Sequence, residues 1–132
     1  MPELPEVITY LDTLAPRIVG RPLEKVRLRS PSLLRTYDPP VSALEGRIVS
    51  GLSRIGKRIV WEFRVEGEAK QGAAGPLDAV FHLMIAGRFK WRERGAAVPK
   101  KRAHGAFDFP TGTLLLTEAG TQKRASLHVV QG

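Results

Sequence analysis

The 132-residue chain has no cysteine and only three histidines. Disulfides and thiolate metal sites are therefore excluded within it, and three histidines alone make a poor zinc site. The lack of thiols suits a reducing, cytoplasmic setting. No apolar run approaches the roughly 18 residues of a membrane span, and the acidic start is unlike a signal peptide, so no membrane association is expected. Acidic residues are scarce too: 13 Asp and Glu face 21 Lys and Arg, for a formal charge of +8 and a sequence pI near 10.4. That balance favours a polyanionic partner, nucleic acid first, with a basic but inert surface as the alternative. The cations are interleaved with aromatics in "GRFKWRER" and clustered in "PKKRAHG".

The length suits one compact domain that can bury a core without staples. From Pro5, the residues Val7, Leu11, Leu14 and Ile18 recur at helical spacing, with Thr9, Asp12 and Thr13 on the other side. This predicts an amphipathic helix, perturbed or ended near Pro16 and closed by Gly20. "LEKVRLRS" then alternates, and after the turn-rich "SPSLLRTYDPPVS" the segments "RIVSGLS" and "KRIVWEFRV" read as strands. In the second, Ile59, Trp61, Phe63 and Val65 share one face while Arg58, Glu62 and Arg64 share the other. "EGEAKQGAAGP" reads as a loop, followed by the apolar "AVFHLMIAG" and the alternating "RFKWR". A second loop, "GAAVPKKRAHG", leads into "AFDFPTGTLLLTEAG", a hairpin turning at Pro110, Thr111 and Gly112. The expected fold is mainly β with α: an N-terminal helix and about eight short strands in an antiparallel β-sandwich or barrel. "KRASLHVVQG" stops within an apolar pattern, as in a truncated or naturally split protein.

The opening "MPELPEV" admits two readings. Pro5 fits the first turn of a helix, where its missing N–H has no partner to lose, and Glu3 and Glu6 would sit near the positive end of the helix dipole. That account leaves Pro2 without a purpose. Methionine is usually removed ahead of a small second residue, which would expose the secondary amine of Pro2. An α-amino group titrates near about 8, well below lysine, so a useful fraction is nucleophilic at neutral pH. Such an amine beside two carboxylates is a possible covalent catalyst.

"PELPEV" resembles the N-terminus of the formamidopyrimidine-DNA glycosylases, which form one family with the endonuclease VIII enzymes; Leu4 favours the former branch. The resemblance continues through "SRIGKRIVWEF", "HLMIAGR", "RAHGAFDF", "TGTLLLTEAG" and "KRASLHVV". It implies residues 1–132 as an N-terminal catalytic domain of that sandwich fold. The family's second half, a helix-two-turns-helix domain and a Cys-ligated zinc finger, is absent from this chain, so no cofactor is expected here and one zinc is expected in that other half. It implies base-excision repair by a bifunctional glycosylase and AP lyase acting on oxidised purines such as formamidopyrimidine and 8-oxoguanine. The implied partner is double-stranded DNA carrying such lesions or abasic sites. A monomer and a nucleoid-associated location are expected.

The resemblance also implies roles. Pro2 is the nucleophile that attacks C1′ of the flipped nucleotide's sugar, Glu3 the general acid that protonates its ring oxygen, and Glu6 the carboxylate that holds the amine. Lys57 matches a lysine that contacts phosphate and donates a proton during elimination. His104 matches a histidine on the DNA backbone, and Lys123 and Arg124 a basic pair that enters the duplex or grips phosphate. The family's wedge methionine falls on Ile85 and its wedge phenylalanine on Ala125. If Lys123 replaces the inserted arginine, the planar fork toward the orphaned base is lost. The alternatives are a DNA-binding module of the same fold without catalysis, and an unrelated basic β-domain.

Overall fold

The computed structural model describes residues 4–30, 32–36, 39–63, 76–120 and 124–131. One helix, α1 (Leu4–Ile18), is followed by eight strands: β1 (Lys25–Leu28), β2 (Val49–Ile55), β3 (Arg58–Phe63), β4 (Leu77–His82), β5 (Gly87–Arg92), β6 (Ala103–Phe109), β7 (Gly112–Glu118) and β8 (Ser126–Gln131). A short 3-10 turn, Val41–Leu44, precedes β2. The strands form two four-stranded antiparallel sheets, ordered β1-β6-β7-β5 and β2-β3-β4-β8. The expected helix and eight-stranded sandwich are both present.

Helix α1 buries Val7, Leu14 and Ile18 and keeps Thr9, Asp12 and Thr13 exposed, as the 3.6-residue period requires. It continues through Pro16 for two further residues. Proline there removes one hydrogen bond from the final turn only, and Ile18, fully buried, holds that turn against the core. Gly20, with φ of 82°, then breaks the helix and donates its N–H to the Val49 carbonyl. Left-handed φ costs glycine little, so the chain turns at once into its pairing with residues 47–49.

The alternation in β5 sends Phe89 and Trp91 inward. Trp61 of β3 is fully buried between the sheets, its ring within 4.6–6.1 Å of Phe81, Phe89, Phe107 and Phe109. A mixture of edge-on, tilted and stacked pairs of this kind suits aromatic quadrupoles. The β6–β7 hairpin pairs Phe109 with Gly112 across Pro110 and Thr111. A side chain at Gly112 would meet the Trp91 ring at 2.5 Å, so the indole lies directly on the backbone there.

The helix direction follows from its contacts. Thr111 donates to the Arg17 carbonyl, the Arg17 guanidinium lies 5.5 Å over the Trp91 ring, and Tyr10 meets Phe89 edge-on at 5.6 Å. Helix α1 thus runs in the same direction as β5. Its start lies toward Gly87 and its end toward the β6–β7 turn.

Candidate nucleic-acid interface

The end of the sandwich toward which α1 starts collects most of the chemistry. Lys57, half-buried, occupies the turn between β2 and β3. The β3–β4 register pairs Ile59 with Phe81, which brings Arg58 and His82 to this same end, and β8 begins here with Ser126 opposite His82. The β4–β5 connection crosses to the other sheet with Met84 in the left-handed region, φ 61°, and Ile85 59% exposed at its tip. The Gly87 N–H closes that connection onto the Leu83 carbonyl at 2.9 Å. A β-carbon on Gly87 would collide with that carbonyl, so the turn presenting Ile85 requires glycine. Glu6 is exposed on the first turn of α1.

The segment after β7 is held by a buried pair. His104 and Glu118 are 1% and 2% exposed, and His104 Nε2 lies 2.7 Å from Glu118 Oε1. The Glu118 carboxylate also accepts the backbone N–H groups of Arg124 and Ala125 at 2.9–3.1 Å. One carboxylate therefore ties β6 to both sides of the 119–125 connection. Burial alone would push the Glu118 carboxyl up, but the His104 hydrogen bond and the two amides outweigh it and hold the carboxyl below its ordinary value.

A pH dependence follows. Because the folded-state value is the lower one, this stabilisation is complete above the ordinary carboxylate range and is lost as pH falls through the depressed value. Glu118→Ala is expected to lower unfolding stability by about 3–5 kcal/mol near neutral pH, since it strands two amides and a buried imidazole. Denaturant melts at pH 7 and in acid check this: the gap between wild type and variant should narrow at the lower pH.

Two of the residues singled out by the resemblance, His104 and Ala125, are enclosed. A direct grip of His104 on a DNA backbone needs an exposed ring, and this ring is enclosed by its pairing with Glu118. Ala125, the counterpart of a wedge phenylalanine, is 1% exposed with its N–H on Glu118, so it has nothing to insert. Ile85 and Arg124 do face solvent. Pro2, Glu3 and Lys123 lie outside the described residues, as do Arg64 and Val65.

His82 was missed as a candidate, although "HLMIAGR" begins with it. It is partly exposed at the end of β4, and burial, then Arg58, then His128 push its imidazole below the ordinary value. A largely neutral ring at pH 7 can donate a hydrogen bond to phosphate or accept one. Among the described residues no cluster of three or more His, Asp or Glu could hold a metal ion, and no helix is long and apolar enough to cross a membrane.

Residues 1–124 match the model of the formamidopyrimidine-DNA glycosylase N-terminal domain. The chain belongs to that family. It is 33% identical over 116 residues to the formamidopyrimidine-DNA glycosylase of Thiobacillus denitrificans, covering 87% of this chain and 38% of that protein. The enzyme of the same name from Solibacter usitatus is 34% identical over 121 residues, 90% of this chain and 40% of its own length. The chain therefore spans about two-fifths of these relatives. The Lactococcus lactis formamidopyrimidine-DNA glycosylase, solved non-covalently bound to DNA containing an AP site, superposes with a TM-score of 0.79 at 25% identity, over 98% of this chain and 45% of that one. Another structure of the Lactococcus lactis protein, bound to DNA containing N7-benzyl-Fapy-dG, superposes equally well. The fold of this formamidopyrimidine-DNA glycosylase-type domain is the one its sequence pattern predicts.

Proposed function

We propose that the chain is the catalytic domain of a bifunctional DNA glycosylase and AP lyase that removes oxidised purines during base-excision repair. The observation that carries the reading is the direction of α1: the helix that begins within the "PELPEV" motif starts at the sandwich end bearing Lys57, His82, Ile85 and Arg124.

In this reading the flipped nucleotide offers its sugar to the secondary amine of Pro2. The nitrogen lone pair forms a bond to C1′ while the C1′–N glycosidic bond breaks and its electrons leave with the base. Glu3 protonates the ring oxygen as the sugar opens, which leaves a cationic iminium. That cation acidifies the 2′ proton, and successive β- and δ-elimination expel the phosphates on the two sides of the sugar. Lys57 holds phosphate beside the lesion and supplies a proton during elimination, and Glu6 keeps the amine in place. Ile85 and the 119–125 connection, with Lys123 and Arg124, engage the space the flipped nucleotide leaves. His104 positions that connection through Glu118. A helix-two-turns-helix and zinc-finger region, which these residues do not include, forms the other wall of the DNA cleft. The isolated chain accordingly binds weakly and favours preformed abasic sites over intact lesions.

Borohydride reduction of the chain mixed with an abasic duplex tests this. A stable protein–DNA adduct is expected, because only a Schiff base is reduced to one. Binding without any adduct, under conditions where a longer relative traps, would favour a DNA-binding module without catalysis.

A further inference from the structure

The sheet β1-β6-β7-β5 carries a second feature on the face turned away from the core. Leu115 and Ala106 are buried there although they lie outside the central apolar cluster. The 93–102 connection folds back over this face beside Leu115. It is pinned by Gly95 N–H on Thr113 Oγ1 at 2.8 Å, by the Arg27 guanidinium on the Ala96 carbonyl at 2.7 Å, and by the Arg102 carbonyl, which accepts the Glu118 N–H at 2.8 Å. Between this connection and β5 lies a hollow of about 320 Å³ with Leu115 in its lining. Among the described residues five cations line it, Arg88, Lys90 and Arg92 on the outward positions of β5 and Lys101 and Arg102 opposite, and no carboxylate does.

The absence of pairing is informative because cations nearby are paired. Arg27 forms a bidentate bridge to Asp108, and Arg94 one to Glu24. Among the described residues the five around the hollow form no ion pair, and there the guanidinium groups of Arg88 and Arg92 donate to backbone carbonyls of their own segment. Alternate residues on a strand lie roughly 6.6 Å apart, a spacing of the order of that between successive backbone phosphates. Concentrated charge of one sign repels itself and is relieved by a polyanion. The hollow is also continuous with the interface, since Ala86 and Ala119, which flank the Ile85 turn and the 119–125 connection, lie at its rim.

We propose that this hollow is a second DNA-contact track, in which Arg88, Lys90, Arg92, Lys101 and Arg102 bind backbone phosphates of the duplex flanking the lesion. The proposal rests on the glycosylase reading for the identity of its polyanion. It predicts an electrostatic contribution that grows with duplex length and is independent of the lesion.

The test uses the triple variant K90Q/R92Q/K101Q of the 132-residue chain, three exposed positions at which the one hydrogen bond given up is that of Arg92 Nη1 to the neighbouring Trp91 carbonyl, with an unchanged thermal midpoint as the check on folding. Binding to abasic duplexes of about 8 and about 25 base pairs is measured across a salt series. On the long duplex the variant should lose roughly 10-fold or more in affinity, and the slope of log K against log salt should fall in magnitude by up to about 2.7, at about 0.9 per phosphate contact removed. On the short duplex the two proteins should bind and trap alike. Equal slopes on the long duplex would overturn the track while leaving trapping, and so the glycosylase reading, intact. Unequal slopes with no trapping by either protein would support the track and count against catalysis. Stronger binding of single-stranded RNA than of duplex, lost in the variant, would overturn the assignment to duplex DNA.

Discussion

One residue added ahead of Pro2 is expected to abolish borohydride trapping on abasic DNA while leaving DNA binding within a few-fold of the parent. The mechanism asks for a free secondary amine: an amide nitrogen has no available lone pair, and a displaced primary amine begins in the wrong place. At neutral pH roughly a tenth of an α-amino group with a pKa near 8 is unprotonated, enough to react without further activation. A lysine, titrating near about 10.4, offers orders of magnitude less. Lys57, Arg124 and the cations of β5 lie on strands and their connections, and one added residue ahead of Pro2 removes none of their charges. Intact mass should show the parent without methionine. Undiminished trapping by the extended chain would place the Schiff base on another nitrogen and remove Pro2 from the mechanism.

The parts of this protein that a linear pattern can specify were legible. Period-2 alternation placed Phe89 and Trp91 inside and Arg88, Lys90 and Arg92 outside, because a strand has only two faces. The helix was marked by Val7, Leu14 and Ile18, and only its end was blurred, because Pro16 falls where a missing N–H costs least. His104 was not legible. "PKKRAHG" reads as a basic loop, but the β6–β7 register, with its irregularity between Ala103 and Gly105, carries His104 inward beside Glu118, a partner fourteen residues on. The same pairing buries Ala125, which a motif alignment alone treats as a truncated wedge. The hollow beside β5 needed the 93–102 connection to fold back over Leu115, a tertiary event with no local signature.

Glu3→Gln is expected to separate the two halves of the reaction. Base excision begins with an intact sugar ring, whose opening creates negative charge on the ring oxygen unless a proton arrives with it. A carboxylic acid can deliver that proton and an amide cannot, and general acid catalysis of this kind contributes about 10²–10⁴-fold. Removal of formamidopyrimidine should therefore fall by that order in a protein with both walls of the cleft. A preformed abasic site already equilibrates with its open aldehyde, so the amine can condense without help at the ring oxygen. Cleavage and trapping there should fall by less than about tenfold. Lys57→Ala gives the complementary pattern: loss of a phosphate contact and an elimination proton weakens binding and strand cleavage together. Single-turnover rates on lesion and abasic duplexes of identical sequence make the comparison. Small and equal losses in both assays for Glu3→Gln would instead assign that residue to the electrostatics of the helix start, where a charge near the dipole is worth roughly 0.3–1 kcal/mol and no rate.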